Sequence, residues 1–142
     1  MKNDIQFEVI EQPTPDILNF FEQKLLEFNV ARWEVKAKIP LAIKVAHHDG
    51  KILAGAAAKT FGDWLLIDNI WVDESLRRQN LGTKIVEKLE QAAIARGCKF
   101  VLLDTLNFQA RPFYEKFGYT VQWTQENYPK DGCKYFMVKK LV

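Results

Sequence analysis

One stretch constrains the fold more than any other. Trp64-Leu65-Leu66-Ile67-Asp68-Asn69-Ile70-Trp71-Val72 is nearly continuous in apolar, β-prone residues, and a cationic turn, an apolar-periodic segment and a second apolar run follow it. Such a run reads as a central strand covered on both faces. Behind it Leu81, Ile85, Val86, Leu89, Ala92 and Ala93 recur at helical spacing, and Arg96-Gly97 closes the pattern with a cation and a terminal glycine. Phe100 to Asp104 is a second buried-strand candidate. Strand, helix and strand in this order imply a parallel pair joined by a right-handed crossover.

The flanking segments fit around that unit. Ile5 to Ile10 is expected as an opening strand. Pro13-Thr14-Pro15-Asp16 then caps a helix with apolar positions at Ile17, Phe20, Phe21, Leu25 and Phe28. Leu41 to His47 and Lys51 to Thr60 flank Asp49-Gly50, a hairpin signal. A short helix over Gln109 to Phe117, ended by Gly118, and strands near Tyr119 to Thr124 and Lys134 to Leu141 complete an α/β chain with mixed strand directions.

At 142 residues, 48% of them hydrophobic, the chain is expected to form a single domain, 1–142, since no repeat or Pro/Gly/Ser-rich linker divides it. Twenty Lys and Arg against 18 Asp and Glu leave a net charge of +2, which gives little ground for nucleic-acid binding. Cys98 and Cys133 stand alone, without the spacing of a disulfide framework or a zinc site. His47 and His48 adjoin the Asp49-Gly50 turn with no third ligand nearby, so they read as solvated turn residues and no metal is expected. The amino terminus lacks the apolar run of a signal peptide and no stretch reaches the length of a membrane span, so the cytoplasm is the expected compartment.

The turn Val72-Asp73-Glu74-Ser75-Leu76-Arg77-Arg78-Gln79-Asn80-Leu81-Gly82-Thr83 joins cationic residues to a helix amino terminus. Free N–H groups there, with the positive end of the helix dipole, suit a pyrophosphate, and Gly82 leaves the backbone open to close approach. Asn80 tolerates a left-handed bend where glycine is otherwise expected. A charged strand-to-helix loop without a ligand is the alternative. Asp68 is the one acidic residue within its apolar run, which is costly unless it faces a polar cleft or has a partner. Acceptance of a proton and an orienting hydrogen bond both remain open for it.

Arg77-Arg78-Gln79-Asn80-Leu81-Gly82 resembles the signature of the GNAT superfamily of N-acetyltransferases: Arg or Gln, two residues, Gly, any residue, then Gly or Ala. Arg77 and Gly82 match, and Asn80 departs. Asn107, Ala110, Phe113-Tyr114 and Phe117-Gly118-Tyr119 resemble the superfamily's final motif. Leu103-Asp104-Thr105 followed by Phe108-Gln109-Ala110-Arg111-Pro112-Phe113-Tyr114 resembles a group of small bacterial members. With elements in the superfamily's order from Ile5 to Leu141, the resemblance spans the chain.

The resemblance implies a GNAT fold: a mixed, mostly antiparallel sheet with a splayed parallel central pair, flanked by about four helices. It implies acetyl-CoA as co-substrate, with its pyrophosphate on main-chain amides from about Arg78 through Gln79, Asn80, Leu81 and Gly82 to Thr83. It further assigns a main-chain N–H near Ile70, Trp71 or Val72 to the oxyanion, Asn107, Ala110 and Phe113 to the cofactor arm, and Tyr114 to protonation of the leaving thiolate. Asp68 falls where some members carry a catalytic histidine.

The expected reaction is direct attack by a primary amine in a ternary complex. A small-molecule acceptor is favoured by the compact domain, with no nucleic acid or membrane partner. Trp33, Trp64, Trp71, Phe108 and Tyr128 are candidates for the acceptor cleft, each also able to serve as core. A protein amine as acceptor and an acyl-CoA-binding module without catalysis stay open. The oligomeric state stays open: the resemblance implies a homodimer as one possibility, and the strands from Tyr119 onward offer edges for pairing.

Overall fold

The computed structural model describes residues 4–142. They cluster into two compact units that divide between Lys36 and Ala37. In the first, helix α1 (Pro15–Val30) opens with Pro15 in its first turn, and the Thr14 hydroxyl accepts the Ile17 N–H at 3.4 Å. The capped helix follows its sequence signals. The expected strand at Ile5 to Ile10 does not: these residues pair with no strand. Their β-prone character is insufficient, because a strand is held by its neighbour's ladder and this segment has none.

The second unit holds one six-stranded sheet. Its strands are β1 (Ile39–Ala46), β2 (Ile52–Phe61), β3 (Trp64–Val72), β4 (Phe100–Leu106), β5 (Thr120–Glu126) and β6 (Cys133–Lys140), in the order β1-β2-β3-β4-β6-β5. All neighbours are antiparallel except β3 and β4. The β1–β2 turn follows the Asp49-Gly50 signal, with Gly50 at φ 94° and the His47 N–H donating to Lys51 O at 2.8 Å. A 3-10 turn (Glu74–Leu76) and helix α2 (Leu81–Ala95) form the β3–β4 crossover, and the short helix α3 (Arg111–Lys116) joins β4 to β5. The edge strands are β1 and β5.

Helix α2 is amphipathic as its spacing requires. Ile85, Val86, Leu89 and Ala93 are buried in one cluster with Ala54, Ala58, Leu65, Ile67, Val101, Leu103 and Met137. Burying such side chains contributes about 1.5–3 kcal/mol each for the larger ones, which fixes the amino terminus of α2 against the sheet. Behind α2, Glu90 accepts from the Tyr119 hydroxyl at 2.7 Å and from Lys139 Nζ at 2.9 Å, tying the helix to β6. Strand β3 departs from its expected coverage. Its first half alternates between buried and half-buried residues, but Asp68, Asn69 and Trp71 are exposed. Asn69 and Trp71 border an open apolar depression with Ala42, Ile52 and Ala57 of β1 and β2, and Asp68 borders the gap left where β4 leaves β3 after three residue pairs.

Candidate active site

Strands β3 and β4 run together only from Trp64 opposite Phe100 to Leu66 opposite Leu102. Beyond that point β3 stays with β2 as far as Val72, while β4 stays with β6 as far as Leu106. The gap between them opens a cavity of about 810 Å³. Its walls are Asp68 to Val72 of β3, Asp104 to Leu106 of β4, Phe108, Gln109 and Ala110 ahead of α3, Tyr114 on α3, Arg77, Tyr128 and Lys134. A second cavity of about 570 Å³ lies against Asn80, Gly82, Thr83, Phe113, Lys116 and Phe117. Ile70, Val72, Arg77, Ala110 and Tyr114 border both, so the two are adjoining parts of one cleft.

The end near α2 is built from backbone. Asn80 precedes the helix at φ 58°, ψ 24°, in the left-handed region, and its side chain makes no capping bond. The helical ladder starts when the Lys84 N–H donates to Asn80 O at 3.3 Å. The N–H groups of Leu81, Gly82 and Thr83 come before that bond and have no intrahelical acceptor, and the helix dipole adds positive potential at the same place. The Gln79 N–H is engaged, donating to Leu76 O at 3.2 Å. Gly82 lies against Phe113: a Cβ there would sit 3.3 Å from the ring edge. The preceding turn is folded by Asp73, whose carboxylate accepts from the Ser75 N–H at 3.2 Å and from the Ser75 hydroxyl, and these bonds hold its pKa below the usual value. Arg77 Nε reaches Val72 O at 3.4 Å.

The far end is built from side chains. Opposite β2 the register skips one residue, with Ala57 facing Asn69 and Ala58 facing Ile67, so Asp68 occupies a β-bulge. Its carboxylate accepts from Lys59 Nζ at 2.8 and 3.1 Å. Both side chains are part exposed, 33% for Lys59 and 44% for Asp68, so the pair adds only about 0–1 kcal/mol to stability. It does decide where the Asp68 charge is spent. Tyr114 is buried at 8% exposure and borders both cavities, and burial first, then the charge of Asp104, pushes its hydroxyl pKa above 10.0.

With this cleft in view, the comparison with known proteins is decisive: the model of the Acetyltransferase (GNAT) family matches residues 7–119. The chain belongs to that family. A curated acetyltransferase of Agrobacterium fabrum is 31% identical over 96 residues, covering 68% of this chain and 70% of its own. Blasticidin-S acetyltransferase of Streptomyces morookaense is 30% identical over 93 residues, covering 65% and 68%. The crystal structure of an acetyltransferase from Bacillus cereus superposes with a TM-score of 0.83 at 29% identity, covering 94% of this chain and 97% of that one. The chain is thus a GNAT acetyltransferase with the GNAT fold. Among the described residues no group of three or more His, Cys, Asp or Glu is arranged to hold a metal ion, and no helix is long and apolar enough to cross a membrane.

The other sequence candidates of this GNAT chain divide. Ile70, Trp71, Val72, Arg77, Ala110 and Tyr114 line the larger cavity; Asn80, Gly82, Thr83 and Phe113 line the smaller. Arg78, Gln79, Leu81 and Asn107 line neither, and Leu81 packs against the core instead. Asn107 is a latch: its N–H donates to Cys133 O at 3.0 Å, and its Oδ1 accepts from the Cys133 N–H at 3.1 Å. Gly132 packs beneath it, where any Cβ would lie 2.7 Å from Asn107 Oδ1 and 2.8 Å from Tyr128 O. This holds the β5–β6 loop so that Tyr128 reaches the cavity wall, with Lys134 Nζ 4.1 Å from its ring centre.

Of the aromatic candidates, Trp71, Phe108 and Tyr128 line the cavity. Trp64 stacks on Phe100 at 5.0 Å where the strands are still paired, and Trp33 belongs to the first unit. Helix α3 is shorter than its expected span because Gln109 and Ala110 are used in the turn before it. Gln109 Oε1 accepts the Leu106 N–H at 2.7 Å, and Thr105 Oγ1 accepts the Ala110 N–H at 3.2 Å. Sequence reasoning passed over Asp104 and Lys134 as site residues. Asp104 carries the same signal that singled out Asp68, an acidic residue within an apolar strand.

Proposed function

We propose that the protein transfers the acetyl group of acetyl-CoA to a primary amine of a small molecule, by direct attack in a ternary complex. The observation that carries this reading is the continuity of one cleft from the unbonded amides at the start of α2 to a carboxylate-bearing cavity, with Tyr114 at the junction. The amides of Leu81, Gly82 and Thr83 suit a diphosphate, Arg77 adds a cation beside them, and Phe113 and Ala110 give an apolar wall for a pantetheine arm. Main-chain groups of Ile70 to Val72, left without a β4 partner by the splay, are suited to a developing oxyanion. Bound acetyl-CoA would supply the activated acyl group.

The remaining work falls to side chains. An alkyl ammonium with a pKa near ~10 must lose a proton before it can attack, and two carboxylates, Asp68 and Asp104, line the cavity where it would lie. Tyr114 is suited to protonate the departing thiolate, because its raised pKa keeps the hydroxyl protonated across the neutral range. A small acceptor is supported by the enclosing walls and by the relative named for acetylating blasticidin S. The test is calorimetry with acetyl-CoA combined with thiol release against a panel of primary amines. Single-site binding and amine-dependent thiol release are expected. Binding without release toward any amine would leave an acyl-CoA-binding module; no binding would refute the proposal.

A further inference from the structure

The two carboxylates of the cavity are not equivalent. Asp68 stands on its bulge with Lys59 Nζ at 2.8 Å, so its charge is already shared with a cation from β2. Asp104, across the splay on β4, is exposed into the same cavity, and among the described residues no ion pair or hydrogen bond engages its carboxylate. The groups around it are Tyr114 of α3, Lys134 of β6, Arg77 of the β3–α2 turn, Tyr128 of the β5–β6 loop, and Asp68 with its Lys59. We infer that Asp104 is the catalytic base, the group that takes the proton from the acceptor ammonium, while the Lys59–Asp68 pair shapes the opposite wall. This deepens the proposed function and rests on it.

The proton balance follows from these positions. Asp104 takes the first proton from the ammonium, freeing the nitrogen lone pair, and keeps it until the thiolate has been protonated, then releases it to solvent. A C–N bond then forms at the acetyl carbon and the C–S bond breaks. Tyr114 gives its proton to the thiolate, and the second proton leaving the nitrogen replaces it by way of solvent. The two groups are also coupled. Asp104, when ionised, helps hold Tyr114 protonated, so neutralising Asp104 makes Tyr114 a better acid just after the amine has been made nucleophilic.

The test uses two acceptors of nearly the same shape, 2-phenylethylamine and O-benzylhydroxylamine. The first is protonated at neutral pH and the second is not; both suit the aromatic rim of Trp71, Phe108 and Tyr128. Asp104→Asn is expected to lower kcat/KM for 2-phenylethylamine roughly 10²-fold or more, and that for O-benzylhydroxylamine less than about threefold. Asp68→Asn should cost less than about tenfold with either. Equal losses with both acceptors, an unaffected Asp104→Asn, a larger loss in Asp68→Asn, or wild-type turnover of neither amine would each overturn the assignment. Calorimetry with CoA on the same preparations separates the outcomes: retained binding confines a failure to Asp104, and lost wild-type binding refutes the underlying function as well.

Discussion

The two ends of the cleft are made of different material. At the α2 end the site consists of main-chain amides whose directions are set by one left-handed residue and one helix start. At the far end it consists of side chains from β3, β4, β6 and the β5–β6 loop, brought together by strand order rather than by nearness in sequence. A backbone site tolerates substitutions that preserve its conformation, whereas a side-chain site changes with each residue. One end can hold a common donor while the other is free to diverge in acceptor.

Four substitutions can break or sharpen that contrast. Tyr114→Phe, at the junction, should show the largest effect: turnover lowered roughly 10²-fold with CoA affinity kept, in steady-state kinetics beside calorimetry. Because its pKa is raised, mainly by burial, Tyr114 should impose no loss of kcat as pH rises toward 10, the usual tyrosine value. An alkaline fall that begins near neutrality and disappears in Tyr114→Phe would contradict its role. Gly82→Val, pressing on Phe113, should weaken CoA binding about tenfold, equivalent to ~1.4 kcal/mol, and leave the acceptor KM unchanged.

Asn107→Ala removes one bond of the latch that holds Tyr128 and should cost about 1 kcal/mol of stability in denaturant titration. It should raise the acceptor KM severalfold while sparing CoA affinity; weakened CoA binding would return Asn107 to the pantetheine. Asn80→Gly should do least. Asparagine already adopts the left-handed region at small cost, so stability and CoA binding should each move by less than about 0.5 kcal/mol.

The same contrast explains what could be read from sequence. The strand-turn-helix at Trp64 to Ala95 was legible because its cues are local: an apolar run, a residue tolerant of positive φ, a 3.6-residue period. So was the parallel pairing of β3 with β4, which follows from the crossover, while its splay was implied only by the family resemblance. Asp104 carried the same local cue as Asp68, an acidic residue in an apolar run, whereas Lys134 acquires its meaning only when β4 and β6 become neighbours, a pairing that no local pattern encodes. The partner of Asp68 was hidden for a related reason, since Lys59 reaches it through a bulge that shifts the β2–β3 register. Ile5 to Ile10 misled in the opposite direction, because β-prone composition does not supply a partner strand. Asn107 combined both effects: its motif drew attention, but its bonds to Cys133 depend on the distant β6.

The central claim concerns the amides at the start of α2, and it can be measured at those atoms. In a ¹⁵N-resolved NMR titration with CoA, the account predicts that the backbone resonances of Leu81, Gly82 and Thr83 shift first and furthest, with Arg77 and Tyr114 following. Saturating CoA that moves resonances elsewhere and leaves those three amides in place would contradict it.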